Sequence, residues 1–247
     1  FGDRSTSETA PSGYAAVRLP WTEHWELSAQ IAAGFRDPTL SDRYFAGTTA
    51  RGTIVGNPDL EPESSRQVDL AIRGGSGRVR VGGFAYLYRI RDLIERYEVV
   101  PDRFAFRNRG EQELLGAEIE LDVVLGTRLA GRATLQWARG EILDDGSPAA
   151  DVPAPAVTLS IDYRPNDRWW FRAATRIQAR DDRPGESEVV TPGYATVDLA
   201  AGWTPGEHLE IRAVLDNIFD HAHPSSPDDR APLAPGAAAS LVISGRF

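Results

Sequence analysis

The chain has 247 residues, 41% hydrophobic and 26% charged, and a net charge of −9. That length allows one large domain or two small ones, and the acidic balance argues against nucleic acid as a partner. Cysteine is absent, which excludes disulfides and thiolate metal sites; no apolar run is long enough for a membrane-spanning helix, although a membrane β-barrel needs only about ten alternating residues per strand.

Methionine is also absent, position 1 included, and lysine is absent, so every guanidinium or ammonium charge is an arginine. Phe1-Gly2-Asp3-Arg4 has no apolar core of a signal peptide. These features suggest a mature portion or the tail of a longer chain.

Residues 1–12 are polar and read as a loop. Ala15, Val17 and Leu19 then fall on one face of a first strand. Trp25, Leu27, Ala29, Ile31, Ala33 and Phe35 fall on one face of a second. A long loop dense in Gly, Pro, Asp and Thr is expected from Asp37 to about Glu63. Ser65 to Arg73 follows as a strand, with a tight turn at Gly74-Gly75-Ser76-Gly77. Arg78 to Ile90 is a strand of ambiguous alternation, and Gly82-Gly83 suggests a bulge. A long loop is expected near 93–103. The strand from about Phe104 to Val123 sets Leu115, Ala117, Ile119 and Leu121 against Glu118, Glu120 and Asp122.

Leu129 to Glu141, Val157 to Tyr163 and Arg168 to Arg180 continue the pattern. In the last of these, Trp169, Phe171, Ala173, Thr175 and Ile177 oppose Arg172, Arg176 and Arg180. Ala195 to Trp203, Leu209 to Asp216 and Leu241 to Phe247 complete roughly eleven strands, with no helix expected.

Two features narrow the all-β architectures. The strands run about ten to thirteen residues, longer than the usual five or six. Short connections near 20–24, 74–77, 124–128, 164–167 and 204–207 alternate with long ones near 37–63, 93–103, 142–154, 181–192 and 220–235. Outer-membrane barrels sort turns and loops in this way, with turns on the periplasmic side. Aromatics toward the ends of the apolar face (Trp25, Phe35, Trp169, Trp203, Phe247) match interfacial girdles. Lumen-facing charges (Arg172, Arg176, Arg180, Glu118, Glu120) would be costly in a dry core. The fold class expected is therefore an antiparallel transmembrane β-barrel. A periplasmic C-terminus with an odd strand count implies further strands before position 1. A complete smaller barrel, such as a porin or autotransporter translocator, and a soluble all-β binding domain are the alternatives.

Gly34-Phe35-Arg36-Asp37-Pro38-Thr39-Leu40-Ser41-Asp42-Arg43-Tyr44-Phe45 and Gly56-Asn57-Pro58-Asp59-Leu60-Glu61-Pro62-Glu63-Ser64 resemble TonB-dependent outer-membrane receptors. So do Arg91-Asp92-Leu93-Ile94, Asn108-Arg109-Gly110-Glu111, Asp216-Asn217-Ile218-Phe219-Asp220 and the terminal Phe247. The resemblance implies a bacterial outer-membrane protein whose residues 1–247 are the C-terminal half of a 22-stranded barrel. Plug, TonB box and signal peptide lie outside this chain. It also implies import of a small molecule or metal chelate, such as a ferric siderophore, haem or cobalamin. The implied partners are outer-membrane lipid, TonB with its inner-membrane energising complex, and the barrel-assembly machinery, which would read Phe247.

Candidate ligand contacts in the outer loops are Tyr44, Phe45, Tyr97, Phe106, His221 and His223, with Phe104 beside them. Exposed loop aromatics suit either stacking on a ligand or lining the rim. Two histidines without a third ligand are a weak metal signal, and the pairs Asp144-Asp145 and Asp228-Asp229 read as solvated. No metal site and no cofactor is expected. The Gly56–Glu63 segment reads as a structural turn in which Asn and Asp cap backbone. No Gly-x-Ser-x-Gly or phosphate loop occurs, so no enzyme is expected.

Overall fold

The structure is a computed structural model and describes residues 9–245 apart from positions 51 and 187. It opens with β1 (Gly13–Thr22) and β2 (Trp25–Arg36). The connection after β2 holds a one-turn helix α1 (Leu40–Tyr44) and a small hairpin, β3 (Ala46–Thr49) and β4 (Gly52–Val55). Then come β5 (Glu63–Ser76), β6 (Val79–Val100), β7 (Arg103–Val124), β8 (Leu129–Ile142), β9 (Ala156–Asn166), β10 (Trp169–Gln178), β11 (Tyr194–Gly206), β12 (Leu209–Asp216) and β13 (Ala238–Gly245).

Eleven of these form one antiparallel meander in the order β1-β2-β5-β6-β7-β8-β9-β10-β11-β12-β13, the number the sequence suggests. Among the described residues β1 and β13 are the two edges, so these strands do not close into a small barrel of their own. Pairing residues share a face, and the faces stay sorted across the sheet. Ile31, Val68, Leu87 and Leu115 lie in register in one apolar row. Gln30, Asp69, Tyr86 and Gly116 form the neighbouring row on the other face.

The structure corrects four expectations. The long loop near 93–103 is a two-residue turn at Pro101-Asp102, because β6 and β7 continue as a hairpin of two 22-residue strands. Asp102 takes the left-handed conformation at φ 61° that a tight turn needs and that Asp tolerates. No register shift occurs at Gly82-Gly83, where pairing with Arg73 and Ile72 continues unbroken. A Cβ on Gly82 would press the Phe84 ring at 3.0 Å, so that glycine makes room for an aromatic rather than a bulge. The connection after β2 contains helix α1, although no helix was expected. Its five residues carry no readable period, but Thr39 and Asp42 form a capping box that holds its first turn. Finally, β10 ends at Gln178, so Arg180 lies past its strand. Phe247 lies outside the described residues.

The apolar face is not a core. Leu70 is 54% exposed, Ile119 51% and Ile161 51%, whereas the buried hydrophobic residues are Ile54, Leu60, Ile142, Ala149, Ala154 and Ala156, all toward the loop end. A soluble sheet would cover that face, so an apolar surrounding is what the fold requires. At the turn end of the same face the aromatics gather. Trp169 stacks on Trp203 at 5.6 Å and on Phe171 at 6.0 Å, and Phe171 stacks on Tyr163 at 6.4 Å. This is the girdle the sequence suggests. From Trp169 to Ile177 the face runs about 27 Å along the strand at ~3.4 Å per residue, enough for a tilted membrane strand.

The polar face is wet and paired. Arg172 Nε donates to Asp162 at 2.7 Å, and Arg132 Nε donates to Asp122 at 2.7 Å. Large aromatics on this face lie across glycines of the next strand. A Cβ on Gly116 would enter the Tyr86 ring, and one on Gly202 would enter the Trp170 indole. Both glycines pair in register with those aromatics.

Candidate functional site at the loop end

The long connections all leave the sheet at one end, and there they bind to one another. The chain from α1 to β5 docks first. Thr53–Val55 of β4 add parallel to Arg103–Ala105 of β7, beyond the point where β8 stops pairing. Gly52 allows this approach: at φ 124° it lies against the Asp102 backbone, where a side chain would collide with the carbonyl. Asn57 Nδ2 donates to the Phe106 carbonyl at 3.1 Å, and its Oδ1 accepts from the Asp59 amide at 3.0 Å. Asn108 answers from β7, accepting from the Glu61 amide and donating to the Glu61 and Asp92 carbonyls. The two asparagines thus satisfy backbone groups that strand pairing leaves over.

Glu63 stands at the base of this loop, 8% exposed. Its carboxylate accepts from Arg36 Nε and terminal nitrogen, both at 2.7 Å, and from the Ile94 amide at 2.7 Å. Such a buried carboxylate needs several partners to offset its lost hydration.

The free-standing part of the β6–β7 hairpin carries an ionic cluster. Arg109 reaches Glu95 at 2.9 Å, Glu186 at 2.7 Å, Asp145 at 3.0 Å and the Ser147 hydroxyl at 2.9 Å. Arg107 shares Glu95 and Glu186 and lies 4.3 Å over the Tyr97 ring. Two connections, β8–β9 and β10–β11, therefore meet on two guanidiniums of the hairpin. Hydrogen bonds from the Ser147 hydroxyl and amide, with the Arg109 guanidinium, hold the Asp145 carboxyl down to about 2. Further around, Glu188 Oε1 accepts from the Asp151 amide, Val189 donates to the Pro227 carbonyl, and Arg230 pairs with Asp102 at the hairpin tip. The loops form one continuous rim.

The expected contact residues distribute unevenly around it. Phe45 is 39% exposed and its ring covers Gly47. Tyr44 closes α1 and is half-buried. Tyr97, expected in the loop near 93–103, sits on β6, and Phe106, expected beside that loop, sits on β7; both are half-buried, because the hairpin continues there. Phe104 lies under Arg96 at 5.2 Å. His221 and His223 do lie in the loop between β12 and β13. His223 stacks on Tyr194 at 4.0 Å, and its Nδ1 is 3.1 Å from the His221 carbonyl. Asn217, at φ 46°, clamps the turn by bonding the His221 amide and carbonyl. Of the charged set, Arg172 and Arg176 face the interior surface with Glu118 and Glu120, while Arg180 is exposed beyond β10. Arg176 donates to Gln178 at 3.1 Å. No cluster of three metal-ligating side chains occurs among the described residues.

Sequence reasoning missed Arg107, Arg109 and Glu95. Their signal was present, because opposite charges recur at alternate positions across a hairpin whose turn carries Pro-Asp.

The chain is 26% identical over 201 residues to the vitamin B12 transporter BtuB of Vibrio vulnificus (strain YJ016), covering 81% of this chain and 31% of that protein. Among solved structures, the copper transporter OprC superposes with a TM-score of 0.85 at 16% identity, covering 96% of this chain and 39% of that one. A ferric enterobactin receptor (PfeA) variant from Pseudomonas aeruginosa gives 0.78 at 17%, covering 96% and 40%. The chain spans about a third of the length of the curated relatives it matches. The family described as TonB dependent receptor-like, beta-barrel, matches residues 1–218, and with the sorted faces, the aromatic girdle and the one-sided loops this chain belongs to the TonB-dependent receptors, as outer-membrane β-barrel.

Proposed function

We propose that this chain is the C-terminal half of the barrel wall of an energised importer. Its loop end receives a scarce small ligand, a metal chelate or a corrin, and transfer inward draws on TonB and its inner-membrane complex. The observation that carries this reading is the joined rim. Loops that merely covered the barrel would need no shared ion pairs. Here the loops after β2, β8, β10 and β12 are tied to the β6–β7 hairpin, so ligand contact at one is felt by the rest. Exposed Phe45 and the His223–Tyr194 stack offer flat surfaces to such a ligand. The relatives' names span cobalamin, copper and a ferric chelate, so they support the class of ligand and not its identity.

The test is accumulation of radiolabelled ferric chelates, copper and cobalamin by cells with and without the gene. One of them is expected to accumulate only with the gene, and to stop when a protonophore is added or TonB is deleted. Accumulation insensitive to both treatments would make the protein a passive pore. Phe247 is the proposed assembly signal. Deleting it lowers the amount inserted while leaving the ligand affinity of the inserted fraction unchanged; normal insertion removes that role.

A further inference from the structure

The connection between β12 and β13 carries two histidines, and they are held differently. Asn217 bonds both backbone groups of His221, while the His221 side chain stands exposed. His223 is held by its ring. One face stacks on Tyr194 at 4.0 Å, with 21° between the planes, and Nδ1 lies 3.1 Å from the His221 carbonyl. That carbonyl is itself fixed, because Asn217 Nδ2 donates to it at 3.1 Å. Tyr194 is anchored in turn. Its hydroxyl donates to Gln178 Oε1 at 3.2 Å, and the same oxygen accepts from Arg176 at 3.1 Å. Gln178 and Tyr194 pair in register on the interior face, so the His223 ring is positioned over that wall at the loop end.

A carbonyl can only accept, so Nδ1 is the nitrogen that carries the proton, and Nε2 of the neutral ring keeps its lone pair. Among the described residues no hydrogen bond or ion pair engages Nε2. A metal-binding imidazole is prepared in this way: the other nitrogen donates to a carbonyl, which fixes the tautomer and the ring orientation and raises the basicity of the donor. One imidazole cannot hold a bare ion, which needs three or more protein donors, and no cluster of three metal-ligating side chains occurs among the described residues. Nor can it bind a ferric ion whose every position is filled by its own chelator. It fits a metal already held by a flat macrocycle, with a replaceable water in an axial position.

We infer that His223 Nε2 coordinates the incoming ligand, and that this ligand is a metal macrocycle with an exchangeable axial position. The inference rests on the reading of the loop end as the receiving end. In the step the Nε2 lone pair forms a bond to the metal as the metal–water bond breaks. The water leaves whole, no electron is transferred, and the Nδ1 proton stays in its bond to the His221 carbonyl.

The probes are diaquacobinamide and ferric protoporphyrin, titrated into the protein purified from outer membranes in detergent, with a ferric trihydroxamate as the comparison arm. Visible absorption reads the axial ligand directly. At least one macrocycle is expected to show the band shift of water replaced by imidazole, and the trihydroxamate to show none. His223→Ala abolishes the shift and weakens binding at least ~tenfold. His221→Ala keeps the carbonyl and changes neither. In His223→Gly, added free imidazole restores the shift of the protein-bound macrocycle, which a merely structural role of His223 would not allow. Heat-modified gel migration confirms that each variant is folded, and the wild-type comparison of macrocycle with trihydroxamate needs no variant. No shift with either macrocycle, or a shift that survives His223→Ala, overturns the coordination. Loss of the shift in His221→Ala overturns the single-donor assignment. TonB-dependent accumulation of the ferric trihydroxamate without any macrocycle shift overturns this inference and leaves the receptor reading standing. A shift without TonB-dependent accumulation of any ligand does the reverse.

Discussion

At the loop end Glu63 accepts three hydrogen bonds, Asn108 clamps the adjoining loop, and Leu60 is 3% exposed. Twenty-odd ångströms below, by ~3.4 Å per residue, Leu70 and Ile161 stand about half exposed with nothing from the chain above them. The first region has its polar groups satisfied within the chain. The second has only its backbone satisfied and relies on lipid for its side chains. One region is held by named bonds, the other by a pattern. Mutations should therefore act specifically in the first and by depth in the second.

The largest effect expected lies in the band. Leu199→Arg, on the outward face, should destabilise the inserted protein by about 2–4 kcal/mol. The unfolding midpoint in urea with lipid vesicles reports it, and a shift below the error of that measurement would contradict lipid contact at Leu199. A change of comparable kind on the inner face tests sterics instead of solvation. Gly116→Val places a side chain where the Tyr86 ring lies and should cost about 1–3 kcal/mol. The double change Gly116→Val with Tyr86→Ala should recover most of that loss.

At the rim the effect becomes local. Glu63→Gln removes charge from a carboxylate that three donors share. Hydrogen exchange across 37–62 should quicken, with a local loss of about 1–3 kcal/mol, while the barrel midpoint scarcely moves. A uniform drop in both would show that rim and wall are one cooperative unit.

The smallest effect is titration of Asp145. Its carboxyl is held down to about 2 from an ordinary 3.8. A depressed acid stabilises the fold above its ordinary value, and that contribution is lost as pH falls through the folded value. Contact between the 142–155 connection and Arg109 should therefore be constant above pH ~4 and fade between pH ~4 and ~2. A distance probe between residues 146 and 98 reads this, and Asp145→Asn should flatten the curve. Fading at neutral pH would implicate another group.

The same division explains what the residues revealed beforehand. The eleven strands were legible because a two-sided environment writes period 2 into the sequence: Trp169, Phe171, Ala173 outward, Trp170, Arg172, Ala174 inward. Above the band both faces of β6 and β7 meet water, so Leu93, Glu95 and Tyr97 alternate with Ile94 and Arg96 without a hydrophobic phase. That stretch consequently reads as loop. The Asn57 turn was legible as structure because Asx chemistry is local. For Arg107 and Arg109 only the cross-strand pairing with Glu95 was legible, because their other partners, Asp145 and Glu186, lie 36 or more residues away.

The two-residue turn at Pro101-Asp102 also bears on the order of assembly. Pairing β2 with β5 must close a connection of 26 residues (37–62), whereas β6 with β7 closes across two. The difference in closure entropy is about 2 kcal/mol on a logarithmic scale. A hairpin of that kind zips in about 1–10 μs. The longest pair of strands thus closes across as short a turn as β1–β2, β5–β6, β9–β10 and β11–β12, and the remaining strands can add to edges that already exist.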